Sequence, residues 1–475
     1  MRDPISLRLG SRRAITAAAL CLGLGLSSPG HAHGLWGHLH VTGWAAENMP
    51  NDELRQFLLD DPEVFNALLF GAVFTDTGYA VEDPASRAYS EHTHWEPFIE
   101  DYVEWIRIND PPPWDSLESK KRVAFLMGCA SHGLQDSIFD SLFLHHVEQR
   151  DGAGQAETDP GTDGFLALDG HLRFFPEPDL PLPLLLELYQ DLEPDVTEDV
   201  ITTAVDRTVS FYINETYGPT IAATLGEEYA PTMPWGRVHY MDPAVPGSLR
   251  AEIFPTMRHQ QALWKRLHGE LSPNDVTVFA FPEEPRRLRS GDPERVDSWV
   301  TLIFGEGVVY DSALVELVDD AGEPVDFDVT GNRWGGNPTR LIRLLPAQTL
   351  TPGGWYTARL LPGAETSGGQ VSTEGWEQRF QVACEDDSDP ACPDLGDIPV
   401  ASIDGVVDES TDSAEPGTGG ANPDVSSGCG CAANTRTGST GNLFLVGLFA
   451  LAARLRTRRR APSSAPPPPG PTTRA

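Results

Sequence analysis

The period of the apolar residues changes once along this chain, near residue 272. Before that point Glu53–Leu59, Phe98–Ile108, Lys121–Val147, Leu184–Leu192 and Val196–Tyr217 carry apolar side chains at helical spacing. After it Val276–Phe281, Ser298–Phe304, Ala313–Val318, Arg340–Leu345, Trp355–Leu361 and Glu377–Val382 alternate or are β-branched. Asp320-Ala321-Gly322, Gly335-Gly336-Asn337 and Pro352-Gly353-Gly354 supply turns between them. One packed layer cannot satisfy both periods, so the sequence predicts a multidomain chain. A mostly α domain over residues 33–272 is followed by a β-sandwich over residues 273–384. Pro111-Pro112-Pro113 breaks the helical half, and Asp151–Asp163, rich in Gly, Asp and Thr, reads as a loop.

Both ends read as addresses rather than fold. Arg2, Arg8, Arg12 and Arg13 precede an apolar run, Ala14–Leu26, and small residues follow at Gly30 and Ala32. Residues 1–32 are therefore expected to be a signal peptide, leaving His33 as the first residue of the exported chain. Residues 385–428 are acidic and rich in Gly, Ser, Pro and Asp, the composition of a flexible linker. Residues 429–460 hold Cys429-Gly430-Cys431, a polar spacer, the apolar run Leu443–Ala453 and a cluster of arginines from Arg454 to Arg460. Residues 461–475 form a Pro-rich tail expected to be disordered. The Cys-Gly-Cys, apolar and arginine segments in that order resemble the C-terminal sorting tag of myxobacterial surface proteins. The resemblance implies processing near Cys429 and display at the cell surface, on the outer membrane; the apolar run, short for a membrane span of about 20 residues, is read as the transmembrane part of that sorting anchor.

Charge excludes one class of partner. The chain has 34 Lys and Arg against 70 Asp and Glu, a net charge of −36. A field of that sign repels phosphate backbones, so no nucleic-acid partner is expected. Six cysteines in 475 residues are too few for a disulfide scaffold. Cys384 and Cys392 are spaced for one small disulfide loop after export, and Cys129, within an apolar helix, reads as packing. The β half clusters no His, Cys or paired carboxylates, and reads as a spacer or adhesive module.

The chemistry-bearing residues lie in the helical half. In KKRVAFLMGCASHGLQDSIFDSLFLHHVEQRD, His132, Asp136 and Asp140 stand four residues apart on one helix face, each step rising about 6 Å. An imidazole and a carboxylate at that spacing can share one metal ion, and the next carboxylate can hold a neighbouring one. The run Val123–Ala130 before them is apolar, and burying such polar groups alone costs on the order of several kcal/mol each. Partners are therefore required, and three segments offer them. Asp76 lies in GAVFTDTGY, His94 in SEHTHWEPF, and His33, His38 and His40 in HGLWGHLH, where a free α-amine at His33 would chelate together with its own carbonyl. His40, His92, His145 and His146 read as surface or supporting residues.

The order HGLWGH, GAVFTD, EHTHWEPF, VAFLMGCASHGLQDSIFD, DPGTDGF resembles the zinc-dependent phospholipase C superfamily. Its wording is nearest to the N-terminal catalytic domains of glycosylphosphatidylinositol-specific phospholipases D, over residues 33–170, with the helices to about 270 following loosely. The β half, with FGEGV, ALVELVDDAGEPV and RLIRLLPAQTLTPGGWYTARL, resembles the Ig-like domains appended to bacterial surface enzymes. The first resemblance implies a mostly helical domain with metals in a cleft. On it His33 matches the N-terminal ligand, His38, His94 and His132 match histidine ligands, and Asp136 matches the carboxylate that bridges two metals. Asp76 matches the aspartate beside the attacking water, a ligand in several members. The third site departs from the family pattern: Asp140 stands where a histidine is usual, and Asp159 and Asp163 stand where a His-x-x-x-Asp/Glu pair is usual. An all-carboxylate site suits Ca²⁺, Mg²⁺ or Mn²⁺ better than Zn²⁺. The expected cofactor is two or three Zn²⁺ ions, with the third replaced by a harder ion or lost.

The activity so implied is metal-dependent phosphodiester hydrolysis of phospholipase C or D type, with water attacking phosphorus in line and Asp76 orienting it. The expected partners are a phospholipid or other phosphodiester and a membrane surface, for a monomeric enzyme. Two other readings remain open. One is a non-catalytic surface adhesion or structural protein with a degenerate metal site, supported by Asp140 and Asp159. The other is a zinc-dependent single-strand nuclease, which the net charge opposes.

Overall fold

The structure, a computed structural model, describes residues 34–271, 278–281, 287–292, 294–333, 338–384 and 400–404. His33, the signal segment, the expected boundary at 272/273, the Gly335-Gly336-Asn337 turn, Cys392, the rest of the linker and the C-terminal anchor lie outside the described residues.

The helical half runs α1 (Leu35–Glu47), α2 (Glu53–Leu59), α3 (Pro62–Phe74), a 3₁₀ turn (Thr77–Ala80), α4 (Pro84–Thr93), α5 (Glu96–Asn109), α6 (Leu117–Ser141) and α7 (Phe143–Arg150). It continues with α8 (Gln155–Leu168), α9 (Leu182–Leu192), α10 (Glu198–Phe211), α11 (Gly218–Tyr229), α12 (Pro234–His239) and α13 (Ile253–Leu267). Side chains of Asp52, Asp61, Asp83 and Ser116 accept from backbone N–H groups in the first turns of α2, α3, α4 and α6, which fixes where those helices start. Helix α6 is central: every residue from Val123 to Ser141 is buried. It crosses α3 in backbone contact. A Cβ on Gly71 would overlap the carbonyl oxygen of Phe125, and one on Gly128 would overlap that of Leu68.

Two readings of the helical half are corrected. Asp151–Asp163 is not a loop throughout, because α8 begins at Gln155 and carries Pro160 in its interior. Of the glycines that suggested a loop, Gly161 packs against the side chains of Tyr229 and Met233, and just beyond the segment a Cβ on Gly164 would overlap the backbone of Gly226 on α11. Tertiary packing here overrides weak local propensity. Nor is Lys121–Val147 one helix; the chain leaves helical geometry at Leu142 (φ −124°, ψ −69°) and restarts as α7.

The β-rich half comprises β1 (Val278–Phe281), β2 (Arg287–Leu288), β3 (Val300–Val309), β4 (Val315–Asp319), β5 (Phe327–Thr330), β6 (Thr339–Pro346), β7 (Trp355–Leu360), β8 (Glu365–Thr366) and β9 (Trp376–Val382). One sheet has the order β1-β3-β6-β5 with β8 added to β3, and the other β2-β9-β7-β4. Pairing is antiparallel except between β2 and β9. Leu302, Phe304, Ile342 and Leu344 of the first sheet share a core with Leu317, Ala358 and Phe380 of the second. Alternation sends Ile303 and Leu341 the other way. With Val296 and Trp299 they form a second apolar cluster against Leu134, Ile138 and Leu142 at the end of α6. Strand β3 is thus buried on both faces over Val300–Gly305, where Leu302, Ile303 and Phe304 stand as consecutive apolar residues. A spacer would not bury a sheet face on the central helix.

Cys384 is disulfide-bonded, while Cys129 is free and buried. No helix among the described residues is long and apolar enough to cross a membrane.

Candidate metal centre

Three imidazoles and two carboxylates meet beside α6. His132 projects from α6 itself, and its Nδ1 donates to the carbonyl of Ala72 on α3 at 2.6 Å. The Gly71/Gly128 contact brings that carbonyl within reach. His94 lies in the link between α4 and α5, and its Nδ1 donates to the carbonyl of Ser90 at 2.6 Å. His38 is on α1, with Nδ1 3.0 Å from Oε1 of Gln135, whose Nε2 donates in turn to Thr42 Oγ1 at 2.9 Å. Each Nδ1 is committed to a neighbour, so each Nε2 turns inward with its ring orientation fixed.

The inward atoms converge. His38 Nε2 is 3.1 Å from Asp136 Oδ1, and His94 Nε2 is 3.3 Å from Asp136 Oδ2 and 3.2 Å from Asp76 Oδ1. His132 Nε2 is 3.5 Å from Asp136 Oδ2, 3.7 Å from Asp76 Oδ1 and 3.2 Å from His94 Nε2. The His38 and His132 rings stack with centroids 3.5 Å apart. Two overlapping ligand sets result: His38, Asp76 and His132, and His94, His132 and Asp136, each with its ligand atoms within 4.8 Å of one another. Asp136 turns one oxygen to His38 and the other to His94 and His132, an arrangement suited to a bridging carboxylate.

The donor chemistry fits zinc, which takes imidazole nitrogen and carboxylate oxygen. The decisive detail is the His94–His132 approach. With both Nδ1 protons committed to carbonyls, neutral rings would oppose two lone pairs at 3.2 Å. A cation or a proton has to lie there. The electrostatics agree. Burial alone would lower His94, but Asp76 and Asp136 outweigh it and raise its pKa to about 9. His38 is raised in the same way, against burial, chiefly by Asp136. His132 is lowered by burial and by the neighbouring His38. Burial acts to raise Asp136, yet His132 and His38 hold it well below the usual carboxylate range.

The acids expected at a third site occupy different positions. Asp140 is buried on α6 and Asp159 on α8, but among the described residues neither shares a ligand set as compact as the two above. Asp159 is raised well above the carboxylate range by burial and then by Asp140, Asp136 and Asp163. Asp163 caps α1: its oxygens accept from Trp36 N at 3.1 Å and Gly37 N at 2.8 Å, and burial raises it to about 7 against those bonds. It therefore anchors the start of the helix that carries His38. Glu252, just before α13, was not singled out from the sequence. It is fully buried and raised well above its ordinary range by burial and by the charges of Asp136 and Asp140. No motif surrounds it, so only the fold reveals it. His40 is a buried supporting residue, with Nδ1 on the carbonyl of Trp36 at 2.9 Å and Nε2 accepting from Arg173 N at 2.9 Å.

Residues 37–169 match the zinc dependent phospholipase C family. His38, Asp76, His94, His132 and Asp136 all fall inside that span, whereas Glu252 and the β-rich half fall outside it. The chain is 39% identical over 90 residues to phosphatidylinositol-glycan-specific phospholipase D of Bos taurus and 38% identical over 92 residues to that of Homo sapiens. Those stretches cover 18% and 19% of this chain, and in each case 10% of the relative. The chain thus spans about a tenth of the length of the curated relatives it matches. Among solved structures, CopC from Methylosinus trichosporium OB3b is 20% identical with a TM-score of 0.18, covering 24% of this chain and 97% of that one. The N-terminal part of the bacterial S-layer protein SbsC is 11% identical with a TM-score of 0.19, covering 68% of this chain and 78% of that one. At those scores neither likeness carries an argument.

Proposed function

We propose that this protein is a metal-dependent phosphodiester hydrolase of phospholipase C or D type, exported and displayed at the cell surface. The observation that carries the reading is the convergence of three imidazole Nε2 atoms on the carboxylates of Asp76 and Asp136. Zinc held by these residues supplies a Lewis acid for phosphoryl oxygens and lowers the pKa of water. The chain does the rest. The Ser90 and Ala72 carbonyls and the Gln135 amide hold the rings of His94, His132 and His38 in place. Asp136 offers one oxygen to each side of the cluster. Asp76 stands between α3 and the 3₁₀ turn and is 6% exposed where His38 and His132 are wholly buried. There it orients an attacking water and accepts its proton.

The substrate is a phospholipid or a lipid-linked phosphodiester, in keeping with the lipid substrate named in the relatives. A third, harder ion would draw on Asp140, Asp159 and Glu252. The β-rich half is an Ig-like module, and His33 begins the mature chain.

The test is hydrolysis of phosphatidylcholine and phosphatidylinositol vesicles, a chromogenic phosphodiester and single-stranded DNA, with zinc and with a chelator. Zinc-dependent turnover of lipid supports the reading. Turnover of DNA alone moves the assignment to a nuclease. Bound zinc with no turnover of any substrate moves it to a non-catalytic surface protein.

A further inference from the structure

We propose that Arg340, on β6, is a positioning residue for the metal centre: its guanidinium ties the segment carrying His94 to the helix carrying His132. The inference rests on reading the cluster as a zinc site. Arg340 is 4% exposed. Its Nε donates to Oε1 of Glu96, and its Nη1 donates to the carbonyl of Ala130 at 2.7 Å. Glu96 follows His94 by two residues, and Ala130 precedes His132 by two. A Cβ on Gly133 would overlap the carbonyl of His94 and stand 3.4 Å from Arg340 Nη1. The guanidinium, the His94 backbone and α6 therefore meet at one point.

The β-rich half is shaped to deliver that group. The β3–β6 ladder pairs Ile303 with Leu341 and next Val308 with Thr339, so residues 304–307 stand opposite Arg340 alone. Such an irregularity re-aims a side chain. Gly307, inside it, lies so close to Glu96 that a Cβ there would overlap the carboxylate side chain. The planar fork of arginine can serve a carboxylate and a carbonyl on two sides at once; a lysine ammonium is a point charge and cannot reproduce that geometry. Ligand distances in a sound zinc site lie within about 0.2 Å of their usual values. A clamp holding the two histidine segments therefore acts on metal retention and not on stability alone.

The control is on the same strand. Arg343 also crosses the interface, donating to the carbonyl of Ser141 at 3.1 Å, but at the end of α6 away from His132. The experiment uses the full chain with Arg340→Met, Arg340→Lys, Glu96→Gln and Arg343→Met. Zinc affinity is read by competition with a chromophoric chelator, and thermal unfolding is read in the zinc-free state. Arg340→Met and Glu96→Gln are expected to weaken zinc retention tenfold or more, Arg340→Lys less, and Arg343→Met not at all, even where it lowers the unfolding temperature as much. If Arg340→Met does not fold, Glu96→Gln and Arg340→Lys carry the same comparison. Wild-type affinity in the Arg340 and Glu96 variants, or losses that track unfolding temperature equally in all four, overturn the proposal. Failure of the wild-type chain to bind zinc overturns the metal reading itself, a result distinct from either.

Discussion

The Nε2 atoms of His94 and His132 face each other at 3.2 Å while the Nδ1 of each donates to a backbone carbonyl, from Ser90 and Ala72. The backbone thereby decides the tautomer, and the fold holds open a gap that only a cation or a proton can fill. The same gap therefore has two competing occupants.

Metal loading should consequently release a proton. With His94 raised to about 9 by Asp76 and Asp136 against burial, the metal-free ring is protonated at neutral pH. Zinc has to displace that proton, so apparent affinity should fall about tenfold per pH unit below about 9. In the metal-free protein the sign is the usual one for a raised histidine. Its stabilising contribution is complete below its unfolded value of 6.5 and is lost as pH rises through about 9. Titration calorimetry of zinc binding in buffers of different ionisation enthalpy counts the protons released. A count of zero at pH 7 would remove this account.

Asp136 touches all three imidazoles, so its loss should cost more than that of any single histidine. Asp136→Asn keeps the shape but removes the charge and one acceptor oxygen. Changes to groups that merely support metal ligands typically cost 10–100-fold in affinity or activity. For this residue we expect zinc affinity and phosphodiester turnover each to fall by more than about 100-fold, with the far-ultraviolet circular dichroism unchanged. Chelator competition and initial rates on a chromogenic diester check it.

Helix α6 was legible because its ligand residues recur every four positions inside an apolar run, and the period change near 272 announced the second half. What was not legible depends on contacts between distant segments. Asp163 stood out in sequence only as a ligand candidate; that its carboxylate accepts from the amides of Trp36 and Gly37, 127 and 126 positions away, shows only in the fold. Gly71, Gly128 and Gly164 look like breakers to a local reading, yet each marks a backbone crossing. Ile303 and Leu341 lie in segments that read only as strands; that they pack on α6 follows from burial of both faces of β3, which alternation alone cannot signal.

Gly133 should prove intolerant for a reason its neighbours do not share. An added methyl would overlap the His94 carbonyl, so the helix or the His94 link must move. Overpacking of this kind costs about 1–3 kcal/mol. Gly133→Ala is therefore expected to lower stability by that order and to weaken zinc binding at the same time. Gly368→Ala, whose nearest neighbour would be Thr366 Oγ1 at 3.8 Å, should do neither. Denaturant unfolding and chelator competition on the two variants separate the local clash from a general effect of replacing glycine.

A second histidine, far from the cluster in role, should shape the acid limb of stability. His146 is 1% exposed and stacks on Trp235 with ring centroids 5.2 Å apart. Its nearest carboxylate oxygen, on Asp297, is 3.7 Å away. Burial lowers its pKa to about 4; Asp297 opposes the shift, and Arg150, Arg289 and Arg295 reinforce it. Between about 4 and the unfolded value of 6.5 the unfolded chain binds the proton and the folded chain does not. Stability therefore falls as pH drops through that window and levels off for this group below about 4. The full contribution is on the order of 3 kcal/mol. Urea unfolding of the chelator-treated protein at pH 7.5, 6, 5 and 4.5 measures the slope, and His146→Gln, which cannot take the proton, should flatten it. A variant as acid-sensitive as the parent would mean that other groups of the same sign, His145 among them, lowered to about 4 by burial and by Arg343 and Arg333, set the acid limit.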